Sequence, residues 1–133
     1  MKTYHIPSKE ADSFLFIKDG KPVIKVVELD KMADEGRDVT GFSFHAFANK
    51  DVTFEFYLAN MRTVPVDPEA AVECKSIATA EVKANVTFWN EGPFTEAARY
   101  LIIKIIPSEA VSTVIKAGLT FSNNVVEAAT EQP

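Results

Sequence analysis

The sequence predicts an all-β protein, an antiparallel β-sandwich of Greek-key or jelly-roll type with about seven strands and one or two short helical turns in its connections. Three observations carry that expectation. Residues 76–90 alternate almost without error, with Ala78, Ala80, Val82, Ala84, Val86 and Phe88 pointing one way and Thr79, Glu81, Lys83, Asn85, Thr87 and Trp89 the other. Such a two-residue period marks a strand with one buried face. Residues 39–58 hold two further alternating runs rich in Phe, and turn signals separate short apolar runs along most of the chain. Strands usually run about 5–6 residues, so the alternation over 76–90 predicts a strand that bridges two sheets or extends beyond the body of its domain.

Taken in order, residues 1–12 are polar and carry Pro7, which reads as an N-terminal arm, with the β-sandwich domain over 13–124. The apolar run 14–18, the turn signal Asp19-Gly20 and the run PVIKVVEL at 22–29 predict a hairpin. Across 30–38, Asp30 is a candidate cap for one helical turn ended by Gly36, with a plain acidic loop as the alternative. In 39–48, Phe42, Phe44, Ala46 and Ala48 share one face and Ser43, His45 and Phe47 the other. Asn49-Lys50-Asp51 then turns the chain into 52–58, where Val52, Phe54, Phe56 and Leu58 alternate with Thr53, Glu55 and Tyr57. This pair reads as the clearest hairpin of the chain.

Residues 60–75 form a long connection in which Asp67-Pro68-Glu69 is a helix start, with one or two turns over 70–75. Small residues at Ala78, Ala80 and Ala84 would let Phe rings approach, which places the long strand against the Phe-rich pair. Residues 99–106 are apolar on both faces: Leu101, Ile103 and Ile105 on one, Tyr100, Ile102 and Ile106 on the other. A strand of that kind needs cover on both sides, from a loop or helix of its own chain or from another subunit. Residues 108–118 fit either a short capped helix or a strand, and the β context favours the strand; 125–133 read as a C-terminal tail.

Composition narrows the function classes. A chain of 133 residues with 47% hydrophobic and 25% charged residues suffices for one domain with a sizeable core and excludes wholesale disorder. The net charge of −5 argues against a nucleic-acid surface, which needs clustered cations. A single cysteine excludes an intrachain disulfide. No run approaches the roughly 18 apolar residues of a membrane span, and no apolar leader is visible, so the expected setting is cytoplasmic or a virion, without membrane contact.

Reactive residues are sparse. His5, His45 and Cys74 lie far apart in sequence and make neither a nucleophile–base motif nor a zinc spacing. The acidic segment Asp30, Asp34, Glu35, Asp38 lacks the alternate-residue spacing of a calcium loop, and the five glycines are scattered singly rather than gathered in a phosphate loop. Glu55 and Glu81 read as solvated strand positions. The expectation is therefore no catalytic residue, no metal, no cofactor and no enzymatic activity.

Aromatic residues give the better signal. Phe47, Tyr57, Trp89 and Tyr100 fall opposite the main apolar stripes of their strands, and with Ile102 and Ile106 they form the candidate binding set. The first expectation is an assembly protein acting through protein–protein contacts, as a homo-oligomer or with a protein partner, with a virion capsid or capsid-decoration subunit as its particular form by analogy of fold. The alternative is a carbohydrate-binding module that stacks sugars on Trp89, Tyr57 and Tyr100 with Asn85 and Glu55 as polar partners.

Overall fold

The computed structural model describes residues 2–35, 38–60, 74–93 and 98–123. Among the described residues the strands are β1 (Thr3–Ile6), β2 (Leu15–Ile17), β3 (Val23–Glu28), β4 (Val39–Ala48), β5 (Val52–Ala59), β6 (Cys74–Val82), β7 (Phe88–Pro93), β8 (Tyr100–Pro107) and β9 (Thr113–Asn123), with one helical turn α1 (Leu29–Met32). Sheet I has the order β1-β9-β4-β7, with β2 also paired to β9; sheet II has the order β3-β8-β5-β6. Every pairing is antiparallel. From β2 onward the chain changes sheet at each step except β5 to β6. That order makes the sandwich a jelly roll.

Neither expected hairpin forms. Strand β2 pairs with β9 and β3 with β8, so Asp19-Gly20 turns the chain from one sheet to the other. Likewise β4 lies in sheet I and β5 in sheet II. The reason is the burial of two Phe-rich stripes. Paired side by side, they would form a single layer, whereas crossing between sheets sets them face to face. Phe44 then meets Phe54 at 4.8 Å and Phe56 at 5.1 Å between ring centroids, and Phe42 meets Phe56 at 5.2 Å. Spacings of this kind suit tilted and edge-to-face aromatic pairs.

Side chains of the crossings stitch one end of the sandwich together. The Asn49 side-chain oxygen accepts from the Val114 amide at 2.9 Å, while the Asn49 amide donates to the Val114 carbonyl at 3.2 Å, which continues the β4–β9 ladder one residue past the strand. Asp51 accepts at its carboxylate from the Ala84 amide at 2.8 Å and at its carbonyl from the Ser108 amide and hydroxyl. Gly20, at φ +77°, packs so closely on the 108–112 crossing that an added Cβ would lie 2.8 Å from the Ala110 Cα.

The long alternation over 76–90 does bridge the two sheets, but as two strands. Asn85 adopts φ +60°, its amide donates to the Ala48 carbonyl at 2.7 Å, and the chain passes from β6 to β7. A bulge opposite Phe56/Tyr57 changes the parity of β6. Ala80 and Val82 are buried and Ile77, the extra residue at the bulge, packs on the core, while Ala78 and Val86 are exposed and Ala84 is half-buried. Ala80 sits beside Phe54 as its register partner within the sheet, not above it.

Residues 113–123 are a strand, which resolves the open alternative there in favour of β. Thr3–Ile6, within the expected arm, pairs with Thr120 to Ala117 of β9. Helical turn α1 follows Glu28, whose side chain makes no cap hydrogen bond; Asp30 lies in its first turn and buried Leu29 anchors it. Gly36, the helix start at 67–69 and the tail at 125–133 lie outside the described residues. Cys74 and Lys75, placed by the sequence in a helical connection, belong to β6.

Candidate interaction surface

The expected binding residues divide between two surfaces. On the outer face of sheet II, Tyr57, Ala59, Tyr100 and Ile102 form a second apolar cluster beside the main core, with Ile24, Val26 and Cys74 against it. Tyr57, Tyr100 and Ile102 are only 4, 6 and 1% exposed within the single chain. The second apolar face of β8 is thus covered from inside the chain, and a neighbouring subunit is not required there. The Tyr57 hydroxyl donates to Glu55 at 2.6 Å, which gives the phenol a polar partner. Ile106, at the other end of β8, is half-buried. None of these residues joins an open platform with Trp89, and the sugar-stacking set is divided between opposite sides of the sandwich.

Phe47 and Trp89 lie on the outer face of sheet I, which is open. Phe16 from β2 and Phe14 just before it join them, and the four side chains are exposed by 40% (Phe47), 66% (Trp89), 59% (Phe16) and 45% (Phe14). The strand pleat puts them there: Phe42, Phe44 and Ala46 turn inward on β4, so Ser43, His45 and Phe47 turn outward. The register fixes their neighbours. Phe16 pairs with Val114, Phe47 with Lys116, and His45 with both Gly118 and Trp89.

One row across this face is built around a glycine. His5, Gly118, His45 and Trp89 follow one another from β1 through β9 and β4 to β7. The His45 imidazole stacks on the Trp89 indole at 5.3 Å and 18°. It also lies over Gly118, where an added Cβ would come within 2.6 Å of its Cε1 carbon. Burial first, then the charges of His5 and Lys116, push the His45 imidazole below its ordinary titration range. In the next row Thr3 and Thr120 share a 2.8 Å hydrogen bond.

Lys116 ties down the segment between β1 and β2. Its ammonium donates to the Glu10 carbonyl at 2.6 Å and the Ser13 carbonyl at 3.0 Å, and lies 5.8 Å from the Phe14 ring. Among the described residues no cluster of three metal-ligating side chains occurs, and no helix is long and apolar enough to cross a membrane.

No family model matches the sequence, and no curated protein matches it. Among solved structures, the chain is similar to PirA at 13% identity and a TM-score of 0.48, over 85% of this chain and 96% of that one. It is similar to the Yersinia pseudotuberculosis-derived mitogen at 12% identity and 0.46, over 99 and 96%. The Tobacco streak virus coat protein follows at 9% identity and 0.42, over 94% of each chain. The molecule is a jelly-roll β-sandwich with one open aromatic face, and these likenesses carry nothing about its function.

Proposed function

We propose that the protein is a non-enzymatic structural subunit that acts through protein–protein contacts on the outer face of sheet I, in the setting of a virion capsid as a capsid or capsid-decorating subunit. One observation carries this reading: Phe14, Phe16, Phe47 and Trp89 expose large rings on the same face of the sandwich. Large exposed apolar side chains gathered on one face mark interaction surfaces. Burying a large apolar side chain contributes about 1.5–3 kcal/mol, against about 4–15 kcal/mol for docking two proteins. The four rings are 40–66% exposed, so about half of that remains to be gained from each, roughly 3–6 kcal/mol in all; this lies at the low end of the docking cost, so assembly through this face depends on concentration. The capsid setting draws on the jelly-roll topology, which recurs in capsid subunits, and is an analogy of fold.

A carbohydrate-binding role keeps Trp89 as its one open ring from the expected sugar platform, because Tyr57 and Tyr100 are buried on the other sheet. Sedimentation velocity over a dilution series, on the wild type and on a Phe16→Asp/Phe47→Asp variant, tests the assembly reading. The expected result is a dilution-sensitive oligomer for the wild type and a folded monomer for the variant. A wild type that stays monomeric and binds glycans through Trp89 would replace it with the carbohydrate reading.

A further inference from the structure

The outer face of sheet I is not only aromatic; it carries Lys116 and both histidines of an acidic molecule, so it gains positive charge as the pH falls. The chain carries a net charge of −5. The titratable side chains described in the middle of this face are His5 from β1, His45 from β4 and Lys116 from β9. Strand β2 adds only Leu15, Phe16 and Ile17, the segment before it, held by Lys116, carries Lys9, Glu10 and Asp12, and β7 brings Glu91 to the register position of Ser43, one row beyond His45. Lys116 is held by two carbonyls, which carry no formal charge to neutralise its own.

We infer that the row His5–Gly118–His45–Trp89 receives an acidic protein surface, and that this docking tightens as the pH falls. The inference rests on the reading of this face as a contact surface and names the chemistry of the partner. Trp89 and Phe47 provide the apolar part of the contact, and the imidazoles and Lys116 meet carboxylates. The acidic remainder of a second copy of the chain fits that description.

The geometry supplies the pH dependence. His45 is fixed between the Trp89 ring and the bare backbone of Gly118, so it cannot swing away from the row without losing the stack. In the free protein its protonation is opposed by burial and by the neighbouring positive charges of His5 and Lys116. A carboxylate laid against the row reverses that field. Docking then raises the proton affinity of the imidazoles, and by reciprocity their protonation strengthens docking. Each proton taken up on binding strengthens it by at most about tenfold per pH unit.

The full chain is titrated against an immobilised glutamate–tyrosine copolymer, with heparin as a polyanion of another class, at several pH values between about 7.5 and 5.5. Glutamate stays ionised over that range, with its ordinary pKa near 4.3. The emission of Trp89, the sole tryptophan, reports the row directly. Copolymer binding should strengthen by about tenfold or more across the range, given at least one linked proton. A His5→Gln/His45→Gln variant, folded by circular dichroism, should bind without pH dependence. Binding that is absent, flat or weaker in acid, or that favours heparin, would overturn the inference. If self-association is lost in Phe16→Asp/Phe47→Asp while copolymer binding stays flat, the assembly reading stands alone; acid-strengthened copolymer binding by a chain that never self-associates gives the reverse.

Discussion

Phe44 and Phe47 stand three residues apart on β4 and should behave as opposites. Phe44 is 2% exposed and contacts Phe54 and Phe56 across the sandwich and Phe88 on the adjacent strand at 5.9 Å. Phe44→Ala removes a buried ring and leaves a cavity, a change that costs about 3–5 kcal/mol. Its aromatic pairs contribute roughly 0.5–1.5 kcal/mol each beyond area burial, which favours the upper half of that range. Phe47, 40% exposed on the opposite face, should change stability by no more than about 0.5 kcal/mol on truncation to Ala. Urea denaturation of both variants reads the difference. With a slope of about 1–3 kcal/mol/M, a loss of about 4 kcal/mol moves the midpoint down by roughly 1–4 M with the slope unchanged. Equal small shifts for both variants would refute the facing of β4 and the packing of the two Phe stripes.

Ala80→Leu should overpack the site beside Phe54 and cost about 1–3 kcal/mol, whereas Ala84→Leu, half-buried at the β6–β7 crossing, should cost much less; urea midpoints decide. Ile102→Lys places a charge where the single chain leaves 1% exposure and should abolish folding, with no folded monomer recovered by circular dichroism and sedimentation; a folded monomer would mean that another subunit supplies the cover. Gly118→Ala should push His45 off the Trp89 ring and alter tryptophan emission, with little loss of stability because only a side chain has to give way; unchanged emission would contradict the stack. His45 has a lowered pKa in the fold, so stability should be full above the ordinary histidine value of about 6.5 and decline as the pH falls below it, since the unfolded chain takes up the proton first. Urea melts on His45→Gln should remove that slope.

The sequence made the faces of the strands legible and left their partners hidden. Alternation on 39–48, 52–58 and 99–106 reports which side chains are buried, because a strand's pleat is local. It says nothing about which strand lies alongside. Asn49-Lys50-Asp51 and Asp19-Gly20 mark chain reversals, and a reversal serves a crossing between sheets as well as a hairpin. At 49–51 the burial of the two Phe stripes selects the crossing, and the long-range bonds of Asn49 to Val114 and of Asp51 to Ala84 and Ser108 hold it; at Asp19-Gly20 the close packing of Gly20 on Ala110 belongs to the crossing. The break at Asn85 had a local signal in the residue itself, since Asn tolerates positive φ, but the alternation running through it masked that signal.

Phe47 and Trp89 were readable as outward residues, and they are the expected site residues that stand open. Tyr57, Tyr100 and Ile102 point outward from sheet II by the same pleat, yet outward is not exposed where the chain covers its own outer face. Phe14, Phe16, His5 and Gly118 were missed for a different reason. They sit on or beside short strands, or at a single bare position, and acquire meaning only through the register on β9.

Hydroxyl-radical footprinting of the assembled and the diluted protein tests the central claim most directly. Phe16, Phe47 and Trp89 should lose reactivity on assembly and regain it on dilution, while aromatic residues of the core stay protected in both states. An assembled state in which those three rings remain as reactive as in the monomer, with protection falling elsewhere on the surface, would show that the open face of sheet I is not where this protein makes its contacts.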